Sequence, residues 1–208
     1  MKKIYLLFIT LFTVLFQSNA QDVAQTANDI NPLLIGQNIP EVLLKTADNK
    51  EVSLIDMVKK QPTVIVFYRG GWCPYCNKQL SGLGKISADL VEMGYQILAI
   101  SPDKPENLQV TFEKHKMTYT LLSDSKMDAA RKFGIAFQVD DATLEKYKSY
   151  NIDLVDASGN SHNQLPVPSV FFVDKTGEIK FEYVNPDYSV RISDSLLMSA
   201  AKSLLEEN

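Results

Sequence analysis

Residues 63–77 read TVIVFYRGGWCPYCN, and the rest of the chain arranges itself around this stretch. Residues 63–68 are an unbroken run of β-branched and aromatic side chains, the pattern of a strand buried on both faces. Two glycines and a tryptophan follow, then Cys73-Pro74-Tyr75-Cys76. Proline suits a first helical position, where its missing N–H goes unused, so the cysteines fall at a strand-to-helix junction. Free N–H groups and the helix dipole favour negative charge there, and the thiolate is the nucleophilic form of cysteine. Three residues apart at a helix start, the two sulfurs are within disulfide reach. Either can attack while the other resolves. Arg69 and Lys78 are nearby cations.

Outward from this point the chain alternates. Leu80, Leu83, Ser87, Leu90 and Val91 mark one side of a helix, with Gly94 as its stop. Gly82 and Gly84 inside it cost roughly 1 kcal/mol each, and without a third glycine after a strand they make no phosphate loop. Residues 95–100 read as a second buried strand, 105–117 as a helix begun by Asp103 and Pro105, and 119–122 as a short strand. Ser125 is expected to cap a helix over 127–133, closed by Gly134. Upstream, Ser53 and Asp56 resemble a capping box opening a short helix. Downstream, 169–174 and 178–184 read as a hairpin, and Ser193 caps an amphipathic C-terminal helix. Such alternation predicts an α/β fold, a central mixed sheet flanked by helices. Residues 137–165 break the rhythm with a helix over 141–150 and a polar loop over 156–164. This is expected to be a surface insertion, with a lid or a dimer contact as the functional alternatives.

Residues 1–20 carry Lys2 and Lys3, a thirteen-residue apolar run from Ile4 to Phe16, and Ser18-Asn19-Ala20. That order describes a secretory signal peptide. The run is shorter than the roughly 18–20 residues a bilayer span needs, so cleavage near Ala20 is expected rather than an N-terminal anchor. No cysteine follows the cut to carry a lipid. The expectation is an exported protein, fitting a bacterial periplasm, with an exposed leader at 21–34 and one domain over 35–208. The formal net charge is −4, with no basic run, so nucleic acid is not an expected partner.

The chain holds two cysteines in all. Exported domains commonly build disulfide frameworks, but a bridge between neighbours closes almost no loop and stabilises little. Chemistry is favoured over stapling. Structural zinc needs four ligands, and the histidines, His115 and His162, stand alone in sequence. A c-type haem needs His where Asn77 stands. No metal or organic cofactor is expected.

Four segments in order, FYRGGWCPYC (67–76), ISPDKPE (100–106), LLSD (121–124) and LPVPSVFFVDKTGEIKFEYVNPDYSVR (165–191), resemble the AhpC/TSA (peroxiredoxin-like) family of the thioredoxin superfamily. The nearest likeness is to a branch carrying RGGWCPYC, and it runs from about Ile35 to the end. The resemblance implies a thioredoxin-like fold and a thiol-based oxidoreductase, with the motif readable in two registers. In the peroxidase register the attacking position falls on Cys76, and the usual Thr/Ser and Pro positions fall on Cys73 and Arg69. In the thioredoxin register the attacking cysteine is Cys73. Just before Ser169, many peroxiredoxins carry an Arg and thioredoxins a cis-proline. Val167-Pro168 therefore implies a cis bond, which proline alone makes readily accessible.

The implied pocket comprises Arg69, Trp72, Pro74, Pro168 and Arg191 around Cys73 and Cys76. The implied activity is reduction of hydroperoxides through a Cys76 sulfenic acid and a Cys73–Cys76 disulfide, regenerated by a thioredoxin-type reductant. The alternative is a disulfide oxidoreductase in which Cys73 attacks protein disulfides. A copper carrier with His162 as third ligand is the non-enzyme alternative.

Overall fold

In the computed structural model, which describes residues 23–115 and 118–206, the run after Pro62 is the middle of a sheet. All five residues of its strand, Thr63–Phe67, are buried. In chain order the elements are β1 (Leu43–Thr46), β2 (Glu51–Ser53), α1 (Leu54–Val58), β3 (Thr63–Phe67), α2 (Pro74–Glu92), β4 (Gln96–Ser101), α3 (Pro105–His115) and β5 (Thr120–Ser123). Then come α4 (Asp128–Lys132), β6 (Ala136–Gln138), α5 (Asp141–Ser149), α6 (Leu154–Ser158), β7 (Gln164–Pro166), β8 (Ser169–Val173), β9 (Ile179–Val184) and α7 (Asp194–Glu206).

Seven strands form one mixed sheet in the order β2-β1-β5-β4-β3-β8-β9. β3 runs parallel to β4 and antiparallel to β8, with Phe67 opposite both Ile100 and Ser169. Alternation along β3 divides the core. Val64, Val66 and Tyr68 face Cys76, Leu80, Leu90 and Phe172 on the side of α2 and α7. Ile65 and Phe67 face Leu54, Phe133 and Phe171 on the other. Each such side chain contributes about 1.5–3 kcal/mol by leaving water, so the β3–α2 junction stands on a strand buried on both faces. Among the described residues, no helix is long and apolar enough to cross a membrane.

Several expectations hold and others are corrected. Ser53 Oγ accepts the N–H of Asp56 at 3.3 Å, and Ser193 Oγ that of Leu196 at 3.2 Å. Gly82 has a packing reason: a Cβ there would lie 2.8 Å from Asp194 Oδ1, where α7 begins. Gly84 faces open space, and nothing in the packing explains it. The cap of α4 is not Ser125. Asp124 is buried, and its carboxylate accepts the N–H groups of Ala129 and Ala130 at 3.0 and 2.8 Å. The region expected to be a polar loop instead contains α6, capped by Asp153, and β7, which pairs with β6. The expected cis bond before Pro168 is absent: no described peptide is cis. Val167 and Pro168 join β7 to β8, with the Val167 N–H on Ile135 O and Pro168 O accepting from Asn185. The signal peptide expected at 1–20 lies outside the described residues. From Val23 onward the expected leader is attached, with Ala24 bonded to Ala136 and Gln138, and Leu33 to Phe133.

Candidate active site

The turn from β3 to α2 is held from three directions. The Gly71 N–H donates to Asp103 Oδ2 at 2.7 Å, Asn77 Nδ2 donates to Gly71 O at 2.9 Å, and the Cys73 N–H donates to Gly70 O at 3.1 Å. Both glycines are required sterically. Gly70 has φ +144°, and a Cβ there would meet the Trp72 indole and approach Asp103 Oδ1 to 2.9 Å. A Cβ on Gly71 would run into Thr111 Oγ1.

This turn delivers Cys73 to the N-cap of α2, with extended backbone (φ −87°, ψ 118°) and Pro74 at the first helical position. Cys76 follows one turn in. The two cysteines are unbridged and buried, 2% and 0% exposed. Hydrogen bonding with Cys76 holds the Cys73 thiol down at about 6, against the cost of burial. Arg69 and Arg191 reinforce the shift. Burial and the neighbouring Cys73 charge push Cys76 up. With one negative charge on the pair, its surroundings favour that charge on Cys73 and the shared proton on Cys76.

Of the cations expected near the pair, Arg69 and Arg191 reach the site. Arg191 Nη2 lies 3.6 Å from Cys76 Sγ, while its Nη1 donates to the carbonyls of Tyr188 and, at 2.9 Å, Val190. Arg69, 3% exposed, donates to Tyr147 Oη. Its guanidinium carbon lies 4.1 Å from the Tyr188 ring centre, 5.3 Å from Trp72 and 5.5 Å from Tyr147. A desolvated cation over aromatic faces gains about 2 kcal/mol. Burial lowers the Arg69 pKa, opposed by the charges of Cys73 and Cys76. Among the described residues neither arginine has a carboxylate within salt-bridge distance. The thiolates are the natural counter-charge.

Trp72 packs against Tyr147 of α5 at 5.6 Å between ring centres, so the insertion over 137–165 reaches the motif. Pro168 stands immediately before Ser169, which pairs with Phe67 at the end of β3. His162 does not join the cysteines. Its Nδ1 accepts the Gln164 N–H at 3.0 Å and its Nε2 sits 2.9 Å from Ser125 O, so backbone occupies both ring nitrogens. No group of three or more His, Cys, Asp or Glu able to hold a metal occurs among the described residues. Tyr147, Tyr188 and Asp103 were not expected at the site. Asp103 had a legible signal, because it follows a buried strand parallel to β3 and side chains at such strand ends meet at a common rim.

The AhpC/TSA family model matches residues 35–182. This chain belongs to the AhpC/TSA family. Within it, the chain is 37% identical over 106 residues to the putative peroxiredoxin bcp of Haemophilus influenzae, covering 51% of this chain and 68% of that one. It is 35% identical over 106 residues to the peroxiredoxin Bcp of Escherichia coli K12, covering 51% and 67%. The fold matches solved structures at low identity. For reduced Prx3 of Vibrio vulnificus in complex with hydrogen peroxide the TM-score is 0.67, at 14% identity over 81% of this chain and 99% of that one. For the peroxidoxin BcpB of Mycobacterium tuberculosis it is 0.64, at 17% identity over 83% and 96%. As an AhpC/TSA protein with peroxiredoxin relatives, the chain is an enzyme, a thiol-based oxidoreductase.

Proposed function

We propose that this protein is an exported peroxiredoxin that reduces hydroperoxides through a Cys73/Cys76 dithiol–disulfide cycle, with a thioredoxin-type protein as reductant. The observation that carries the reading is the Arg191 guanidinium 3.6 Å from Cys76 Sγ. It supplies a positive charge at the sulfur that the family register assigns to peroxide. Transfer of the shared proton from Cys76 to Cys73 creates a Cys76 thiolate against Arg191. That thiolate attacks the terminal oxygen of ROOH. The S–O bond forms as O–O breaks, and RO⁻ takes a proton and leaves as ROH. Cys73 sulfur then displaces hydroxide from the Cys76 sulfenic acid, giving the disulfide and water. A dithiol partner returns two electrons and two protons by exchange.

Sulfenic acid formation in Cys73→Ser and Cys76→Ser variants, trapped and located by mass spectrometry, tests this reading. Rapid trapping at Cys76 in Cys73→Ser is expected. Reaction of Cys76 no faster than a free thiol, with a stable mixed disulfide at Cys73 in Cys76→Ser, sinks it.

The second reading is protein disulfide exchange with Cys73 attacking. It is favoured by the Cys73 thiol lying at about 6 and by the N-cap position of Cys73, at the positive end of the helix dipole. The mixed-disulfide arm of the same experiment reports on it.

A further inference from the structure

We propose that Asp103 is a positioning residue for Cys73, fixing the Gly70–Trp72 turn through the Gly71 N–H and opposing the Cys73 thiolate with its own negative charge. The proposal rests on Cys73 holding the first thiolate, and it applies in either catalytic register.

The geometry separates two effects. Asp103 Oδ2 takes the Gly71 N–H at 2.7 Å and lies 3.2 Å from Ser101 Oγ. Gly71 is two residues from Cys73, and its carbonyl is tied to Asn77 on α2. Placement of the Cys73 sulfur therefore depends on an acceptor at 103, whether charged or neutral. The charge is a separate matter. Asp103 is 1% exposed, and burial lifts its carboxyl to about 6, with a further upward push from Cys73. Coulomb coupling is mutual, so an ionised Asp103 makes the Cys73 thiolate harder to form.

The surroundings leave this charge largely uncompensated. Tyr68 is held neutral by burial and by Asp103 itself. Arg69 shares the small cavity beside Trp72 with Asp103, yet its hydrogen bond goes to Tyr147. Across an adjoining open cleft of about 280 Å³ stand Asp153 and Asp156, also acidic. Lys104 is paired with Asp156 at 2.9 Å. The cleft gives the carboxyl a route for proton exchange with solvent. With both groups near 6, loss of the first proton from either raises the other, and Cys73 reactivity climbs over a wider pH span than one group allows.

The test is the pH profile of Cys73 alkylation by iodoacetamide in the fully reduced protein, resolved by mass spectrometry, with no peroxide present. Asp103→Asn keeps an oxygen for the Gly71 N–H and removes the charge. Its midpoint is expected to fall by half a pH unit or more, with faster labelling above pH 6, where the wild-type Asp103 is ionised, little change at pH 5, where it is already mostly protonated, and an unchanged plateau at high pH. Asp103→Ala loses the acceptor as well and is expected to lower the plateau. A purely structural role would move plateaus and leave midpoints in place, and an Asn midpoint equal to wild type overturns the proposal. If neither variant folds, the wild-type profile decides: a curve broader than one titration between pH 4 and 8 supports the coupling, and a single-proton curve refutes it. Loss of peroxidase activity in any protein leaves this readout intact, so failure of the peroxide reading is seen separately.

Discussion

Replacing Arg191 by Met removes the guanidinium closest to Cys76 and leaves an unbranched apolar side chain of similar reach. At 3.6 Å a unit charge pair in an effective dielectric of about 20 interacts by roughly 4–5 kcal/mol. That is a ceiling, because Arg191 is only partly buried and solvent recovers some of the loss. A charge-assisted hydrogen bond is worth about 1.5–3 kcal/mol net. The corresponding fall in kcat/KM for peroxide is about 10- to 150-fold. Trp72 is the single tryptophan and adjoins Cys73, so stopped-flow fluorescence after mixing reduced protein with peroxide at pH 7 reads the step directly. Arg191→Lys keeps the charge but not the fork that reaches the Tyr188 and Val190 carbonyls, and an intermediate rate is expected. Circular dichroism should show both variants folded, since this loop adds little to the buried core. A Met variant within about two-fold of wild type would refute the assignment of Arg191 to the Cys76 thiolate.

Further outcomes are expected elsewhere in the molecule. Tyr188→Ala removes the aromatic face 4.1 Å from Arg69 and should cost about 1–2 kcal/mol in urea denaturation, with Tyr188→Phe close to wild type. Gly71→Ala should destabilise by about 1–3 kcal/mol through overpacking against Thr111 Oγ1, and Thr111→Ala in the same chain should restore most of it. Burial lifts the Asp124 carboxyl to about 7. The fold thus binds this proton more tightly than the unfolded chain, and its contribution is complete below about pH 4 and lost as pH rises through 7. The destabilisation caused by Asp124→Ala, from urea titrations at pH 4, 5.5 and 7.5, should therefore shrink with rising pH. Protein expressed with its full N-terminus and recovered after export should begin at Gln21, as intact mass and N-terminal sequencing will show.

Short-range chemistry made much of the framework legible. β3 and β4 are written as apolar runs, α2 as a strip of leucines begun by proline and ended by Gly94, and the β8–β9 hairpin as two apolar pieces around Gly177. These are local rules, and the chain itself carries them. The rules failed where a side chain had a distant use. Asp103 and Ser125 both look like helix starters, yet Asp103 turns back to Gly71 and Asp124 takes over the cap of α4. Pro168 resembles the thioredoxin cis position, but the bond before it is not cis. Region 156–164 reads as polar loop because α6 and β7, which enter it from either end, are short and draw their support from tertiary packing.

The sequence by itself determined that the two sulfurs form an isolated pair at a strand-to-helix junction, since adjacency, proline and the preceding apolar run are all local. It also named Arg69 and Arg191 as the cations to look for. The tertiary structure alone decided where they act. Arg191, 115 positions from Cys76, arrives because the segment after β9 returns over the start of α2, and Arg69 is caged by tyrosines from α5 and from that returning segment. Proton affinity was decided there too. Sequence treats Cys73 and Cys76 alike, while the stronger desolvation of Cys76 and the hydrogen bonding that favours a charge on Cys73 separate them, because desolvation and hydrogen bonding depend on what surrounds an atom and not on its neighbours along the chain.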